Sequence, residues 1–263
     1  MSLTVTLLQT DLFWEDKQRN LNHLTKQMDA AAQADLLVLP EMFSTGFSMR
    51  SDQLAESMDD ETVQWMISRA QDLDSVVCGS VIIRENDNFY NRFIWAQPDG
   101  HVQCYDKRHL FRMSEEHQHY APGNKRIILS IKDFSICPQV CYDLRFPIFS
   151  RNTQTIDGAP TAVYDLLLYV ANWPAARFTH WRALLQARAI ENQAYVIGVN
   201  RVGTDGNDTV YRGDSCVINH QGEYIKDMGN QANISTVTLE KAPLETYRSA
   251  FPAWRDGDDY HLV

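Results

Sequence analysis

The chain predicts an α/β domain of two sheets, each carrying helices on its outer face, and three observations lead there. Apolar runs of strand length alternate with segments whose apolar residues recur at helical spacing. Two strands are joined by the turn Pro98-Asp99-Gly100, so some neighbours pair as hairpins while others are separated by helices, which indicates mixed sheets. No linker, low-complexity segment or repeat interrupts residues 1–263, so they read as one compact domain.

The elements follow in order. Leu3 to Gln9 alternates as a strand, and after Asp16 the residues Leu21, Leu24, Met28, Ala31 and Ala32 fall on one helical face. Leu36 to Leu39 is a buried strand stopped by Pro40, with Glu41 directly after it. Asp60 opens a helix that places Val63, Met66, Ile67 and Ala70 together, and Val76 to Ile83 is the next strand. The hairpin Phe89 to Gln97 and His101 to Tyr105 delivers Asp106-Lys107-Arg108-His109 to its end. Ser114 to Gly123 is polar and reads by default as a solvated loop. Ile127 to Ile131 and Phe134 to Val140 form a strand pair ending at Cys141. Arg151 to Pro160 reads as a loop, Asp165 to Val170 as a strand, Phe178 to Asn192 as a helix, and Tyr195 to Val199 as a strand. Asp214 to Asn219 is another strand, His220 to Glu223 a turn, and Ile234 to Leu239 the last strand.

Composition narrows the function. Hydrophobic residues make up 44% and charged residues 22%, which is ordinary for a globular protein. A formal charge of −10 argues against nucleic acid as a partner, because phosphate binding needs clustered Lys and Arg. An anionic substrate would need a local cation to overcome that charge. No apolar run approaches the ~18 residues of a membrane span and no leader pattern opens the chain. The five cysteines are odd in number and sit in strand-like contexts, which fits reduced thiols in a cytoplasm. Cys137 and Cys141 with His109, His117 and His119 form a weak alternative as a metal set, since no recognisable zinc spacing accompanies them.

Chemistry concentrates at three strand ends. A thiol at the rim of a sheet, where the chain turns toward a helix, suits a nucleophile, although most lone cysteines are small buried hydrophobes. Glu41 has a solvated loop carboxylate as its bland alternative, and Lys107 a solvated basic cluster. Together, Glu41, Lys107 and Cys141 have complementary roles in acyl transfer. A thiolate attacks a carbonyl carbon, the carboxylate takes the thiol proton and returns it to the departing nitrogen, and the ammonium holds the oxyanion. Lys107 beside the sulfur is also expected to favour the thiolate.

The blocks Leu39-Pro40-Glu41, Asp106-Lys107-Arg108-His109-Leu110-Phe111 and Cys141-Tyr142-Asp143-Leu144-Arg145-Phe146-Pro147 resemble the three signatures of the nitrilase, or carbon–nitrogen hydrolase, superfamily. Each block alone is weak, but the ordered trio is specific. The resemblance implies a four-layer α-β-β-α sandwich, usually a homodimer with sheets continued across the interface, and no metal or organic cofactor. It assigns Glu41 as base, Lys107 as oxyanion stabiliser, Cys141 as nucleophile and the Tyr142 N–H as the second oxyanion donor. An additional active-site glutamate falls on Glu116, with Glu115 adjacent. Cys141-Tyr142-Asp143 is similar to amide-hydrolysing branches, where true nitrilases usually read Cys-Trp-Glu. Ala171-Asn172-Trp173-Pro174, Gln186 to Tyr195, Tyr211 to Ser215 and Phe251 to Trp254 resemble bacterial omega-amidases, which release ammonia from 2-oxo acids such as 2-oxoglutaramate and 2-oxosuccinamate. Thr153 to Val163 looks like an insertion in that pattern. The substrate carboxylate calls for a cation, with Arg145 and Arg177 as candidates, and an ion pair of Arg145 with Asp143 or with a carboxylate from another loop as the structural alternative.

Overall fold

A computed structural model describes residues 1–31, 33–156 and 159–258, with the backbone alone across 154–156 and 159–160. The first half runs β1 (Ser2–Gln9), α1 (Lys17–Asp29), β2 (Leu36–Val38), α2 (Glu61–Leu73), β3 (Val76–Glu85), β4 (Asn88–Ala96) and β5 (Val102–Asp106). The second runs β6 (Leu129–Ile131), β7 (Phe134–Val140), β8 (Leu166–Ala171), α3 (Phe178–Asn192), β9 (Tyr195–Asn200), β10 (Cys216–Ile218), β11 (Tyr224–Asp227), β12 (Asn233–Glu240) and α4 (Lys241–Ala250). Two six-stranded sheets result, ordered β12-β1-β2-β3-β4-β5 and β11-β10-β9-β8-β7-β6.

Both sheets have the same internal logic. Three central strands are parallel (β1, β2 and β3 in one, β7, β8 and β9 in the other), and antiparallel strands flank them. Pleating then sorts residues by face. Leu36 and Val38 join Leu3, Val5, Ile136, Leu168 and Val170 in the core between the sheets. Leu37 points the other way and packs with Leu24 and Met28 of α1 and Val63 and Met66 of α2. On the second sheet, Trp181 and Leu185 of α3 lie so close to β9 that a Cβ at Gly198 would sit 2.7 and 2.6 Å from them. The layers are therefore helix, sheet, sheet, helix, and each fully buried Leu or Val side chain contributes about 1.5–3 kcal/mol.

Several expectations need correction. Helix α1 ends at Asp29, so Ala31 lies past it, and Ala32 falls outside the described residues. The segment Arg151 to Pro160 is not all loop: Gln154–Ile156 pairs antiparallel with Ala159–Thr161, while residues 157 and 158 lie outside the described residues. Asn152 pinches the ends of this insertion together, accepting from the N–H groups of Val163 and Tyr164 at 2.9 Å each. Helix α4 has no counterpart in the sequence reading. It is moored by Lys241 and Arg248, which reach Asp165 at 2.7 and 3.0 Å. No helix among the described residues is long and apolar enough to cross a membrane.

Candidate active site

Glu41, Lys107 and Cys141 each leave the end of a strand on the same side of the molecule. Glu41 follows β2 through Pro40, and its own carbonyl accepts from Asn172 Nδ2 at 2.6 Å, tying it to the end of β8. Lys107 follows β5; its N–H donates to the Asn91 carbonyl at 3.0 Å and its carbonyl accepts from the Gly123 N–H at 2.9 Å. A Cβ at Gly123 would lie 2.1 Å from the Asp106 carbonyl oxygen, so only glycine closes this loop. Cys141 ends β7 with φ of 46°, a left-handed conformation costing on the order of 1–3 kcal/mol at a side-chain-bearing residue. The 3-10 helix Cys141–Arg145 starts at once, leaving the Tyr142 N–H in its first turn free of an intrahelical acceptor.

Asp143 holds the strained turn in place. Its Oδ2 accepts from Val140 N (3.0 Å) and the Tyr105 hydroxyl (2.7 Å), and its Oδ1 accepts from His109 N at 2.9 Å and meets His109 Nδ1 at 2.7 Å. One buried carboxylate thus joins the cysteine turn to the lysine loop. It has no oxygen left for Arg145, so the expected Arg145–Asp143 pair does not form. The same contacts occupy His109, and among the described residues no group of three or more His, Cys, Asp or Glu side chains is placed to hold a metal.

The buried charges form a tight set. Lys107 Nζ lies 2.9 Å from Glu41 Oε1 and 3.0 Å from both Glu116 oxygens, and all three side chains are 0% exposed. Glu116 opens the short helix Glu116–His119 within the segment expected to be a solvated loop, and Phe111 N–H donates to its Oε2 at 2.5 Å. Glu115 is exposed beside it, so the glutamate facing the site is Glu116. Asn91 Nδ2 donates to Glu41 Oε1 at 2.7 Å and to Glu116 Oε1 at 3.3 Å, and Asn172 N–H donates to Glu41 Oε2 at 2.7 Å. Sequence reasoning did not single out Asn91, which sits mid-strand with no pattern to mark it. Asn172 carried a signal as the residue closing an apolar strand.

Burial sets the proton inventory. It works to lower the Lys107 pKa, but Glu116 and Glu41 outweigh it and hold the ammonium above its ordinary value. Burial raises Glu116, with Lys107 opposing and Glu41 reinforcing. The Cys141 thiol is pushed well above its ordinary value, first by burial and then by Glu41, with Lys107 pulling the other way. Lys107 does favour the thiolate as expected, but burial and Glu41 outweigh it. Burial and the neighbouring Glu41 carboxylate thus favour the neutral thiol at Cys141.

A cavity of about 530 Å³ opens over Cys141, Tyr142 and Asn172. Arg145 and Arg177 both line it, beside apolar Phe47, Met49 and Met113. Arg145 lies 5.0 Å over the Trp173 ring with Nη2 3.0 Å from His180 Nδ1; since a guanidinium only donates, His180 accepts through Nδ1. Arg177 lies 5.3 Å over the Phe111 ring. Neither arginine forms an ion pair among the described residues, so both charges remain available to a ligand.

The family model for carbon-nitrogen hydrolase matches residues 4–249. The chain belongs to the carbon-nitrogen hydrolase family. Among its relatives, the omega-amidase YafV of Escherichia coli (strain K12) is 49% identical over 99% of this chain and 98% of its own length. The 2-oxoglutaramate amidase of Bacillus subtilis (strain 168) is 30% identical over 97% of this chain and 98% of its own. A CN-hydrolase superfamily protein from Xanthomonas campestris, solved with an arsenic adduct in its active site, superposes with a TM-score of 0.96 at 44% identity, covering 100% of both chains. This carbon-nitrogen hydrolase therefore shares its four layers with a solved member across its whole length.

Proposed function

We propose that the chain is an omega-amidase that hydrolyses the terminal amide of short 2-oxo dicarboxylic acid monoamides, such as 2-oxoglutaramate and 2-oxosuccinamate. The observation that carries this reading is a cavity lined by the Cys141 thiol and by two arginines that form no ion pair among the described residues, with the Glu41–Lys107 pair fully buried nearby. The names of the relatives from Escherichia coli and Bacillus subtilis support the same substrate class.

In this reading Cys141 Sγ attacks the amide carbon while Glu41 takes the thiol proton. The oxyanion is held by Lys107 Nζ and the Tyr142 N–H, a donor pair of which each member is worth about 3–4 kcal/mol of barrier. Glu41 returns the proton to the amide nitrogen, the C–N bond breaks and ammonia leaves a Cys141 thioester. Water then attacks the thioester with Glu41 as base, releasing the 2-oxo acid and restoring the thiol. Glu116 keeps the Lys107 ammonium charged and aimed. Arg145 and Arg177 receive the substrate carboxylate at the far end of the cavity. Catalysis proceeds without a cofactor, in one domain over residues 1–263 working as a cytoplasmic homodimer.

A panel scored by ammonia release tests the assignment. Preference for 2-oxoglutaramate or 2-oxosuccinamate over neutral amides, N-carbamyl compounds and nitriles is the expected result. A nitrile outrunning every amide would overturn the substrate class, and no turnover across the panel would favour a binding protein on the same scaffold.

A further inference from the structure

The side chain of Asn91 lies in the middle of β4, outside the cavity lining, at 0% exposure. One amide nitrogen reaches the carboxylates of both Glu41 and Glu116, at 2.7 and 3.3 Å. The two oxygens it meets are the ones that also receive Lys107. The orientation of the amide is fixed by this, because a flip would set its carbonyl against two carboxylates. In that orientation Oδ1 is buried with no protein partner among the described residues.

We infer that Asn91 is a positioning residue for the reaction, one that donates to the charged form of the Glu41 carboxylate and holds it in place beside the thiol. The inference rests on the reading of Glu41 as the base. Two carboxylates share one ammonium here, so Coulomb repulsion favours putting a proton on one of them. A base that already carries a proton cannot accept the one on Cys141. An N–H donor to the ionised form opposes this. The titratable groups facing Asn91 and its two carboxylates are Lys107 after β5, Glu116 on its short helix, Cys141 after β7, Tyr120, whose phenol is raised by burial and by Glu116, and Tyr211, raised first by burial and also by Glu41. Lys107 and Asn91 are the donors this set presents at Glu41 Oε1, and they act together: the Asn91 carbonyl also fixes the Lys107 backbone.

The test uses Asn91→Leu and Asn91→Asp in the full chain. Leu keeps the volume and removes the donor. Its expected effect is a kcat lower by roughly 10- to 100-fold, the weight of a hydrogen bond to a charged group, with KM nearly unchanged. The acid limb of the kcat/KM profile should move to higher pH, because the ionised base has lost stabilisation. A role limited to folding would lower activity without moving that limb, and this result would overturn the inference. Asn91→Asp, of almost identical shape, covers the case in which the Leu variant does not fold. It should be nearly inactive at neutral pH and recover as the pH falls and the new carboxyl gains a proton to donate; a flat or opposite response contradicts the proposal. The pH dependence of Cys141 alkylation by iodoacetamide gives the same limb without an amide substrate. It separates a failure of this inference from a failure of the substrate assignment.

Discussion

Replacing Lys107 by Met removes the only cation from a set that contains two carboxylates. The ammonium makes three contacts of 2.9, 3.0 and 3.0 Å with side chains wholly shielded from solvent. Breaking a buried pair by deleting one partner typically costs about 3–5 kcal/mol, because the remaining charge is left uncompensated. Here two charges remain, and the Asn91 and Asn172 donors at 2.7 Å serve only Glu41 well. The expected loss of unfolding free energy at neutral pH is therefore about 3–5 kcal/mol. The sign of its pH dependence follows from linkage. Without Lys107 the two carboxylates lose the cation that favours their charged forms, so the penalty is absent where both are protonated and reaches its full size as the pH rises toward neutrality. In the proposed mechanism the variant also loses an oxyanion donor, so kcat should fall by about 100- to 1,000-fold. Adding Glu116→Gln to Lys107→Met removes one stranded charge, and should restore most of the stability and none of the activity. Urea denaturation followed by the fluorescence of the six tryptophans, beside ammonia release, measures both quantities. A Lys107→Met protein as stable as the parent at neutral pH, or a double variant with no recovery, would refute the buried ion-set reasoning.

Two further outcomes follow from the same geometry. Arg145→Met should raise KM for 2-oxoglutaramate by roughly 10- to 100-fold and leave kcat/KM for a neutral amide of similar length almost unchanged, since a hydrogen-bonded charge is worth about 1.5–3 kcal/mol. Equal loss on both substrates would mean that Arg145 supports the fold of the cavity wall instead. Asp143→Ala strands the Val140 N–H, the Tyr105 hydroxyl and His109, which now share its two oxygens; it should destabilise the chain by about 2–5 kcal/mol and slow Cys141 alkylation, measured by denaturation and by thiol labelling.

How much of this was readable beforehand depended on whether a signal was local. Strand ends that stop abruptly, at Leu39-Pro40 and at Val140-Cys141, exposed Glu41 and Cys141 in the sequence because an apolar run leaves a chemical group conspicuous. Helix α3 matched its expected limits, Phe178 to Asn192, since its apolar spacing is complete within the segment. Glu116 did not yield to local pattern: a carboxylate in a polar stretch is buried here only because Lys107 arrives from another strand. Asn91 was silent for the same reason, its partners lying 50 and 25 positions away. Helix α4 was obscured by Pro243, which is tolerated because it falls in the first turn, where its missing N–H has no intrahelical role. The pull of Lys107 on the Cys141 thiol has the expected direction, but the sequence carries no measure of desolvation, and burial is the larger influence on that thiol.

The most direct measurement is intact-protein mass spectrometry on samples quenched during turnover of 2-oxoglutaramate, with peptide mapping and Cys141→Ala alongside. The account predicts an acyl group carried as a thioester on the Cys141 peptide while ammonia accumulates, and neither adduct nor ammonia from a folded Cys141→Ala protein. Ammonia release at a near-parental rate from Cys141→Ala, or an acyl group mapped to another residue, would contradict it.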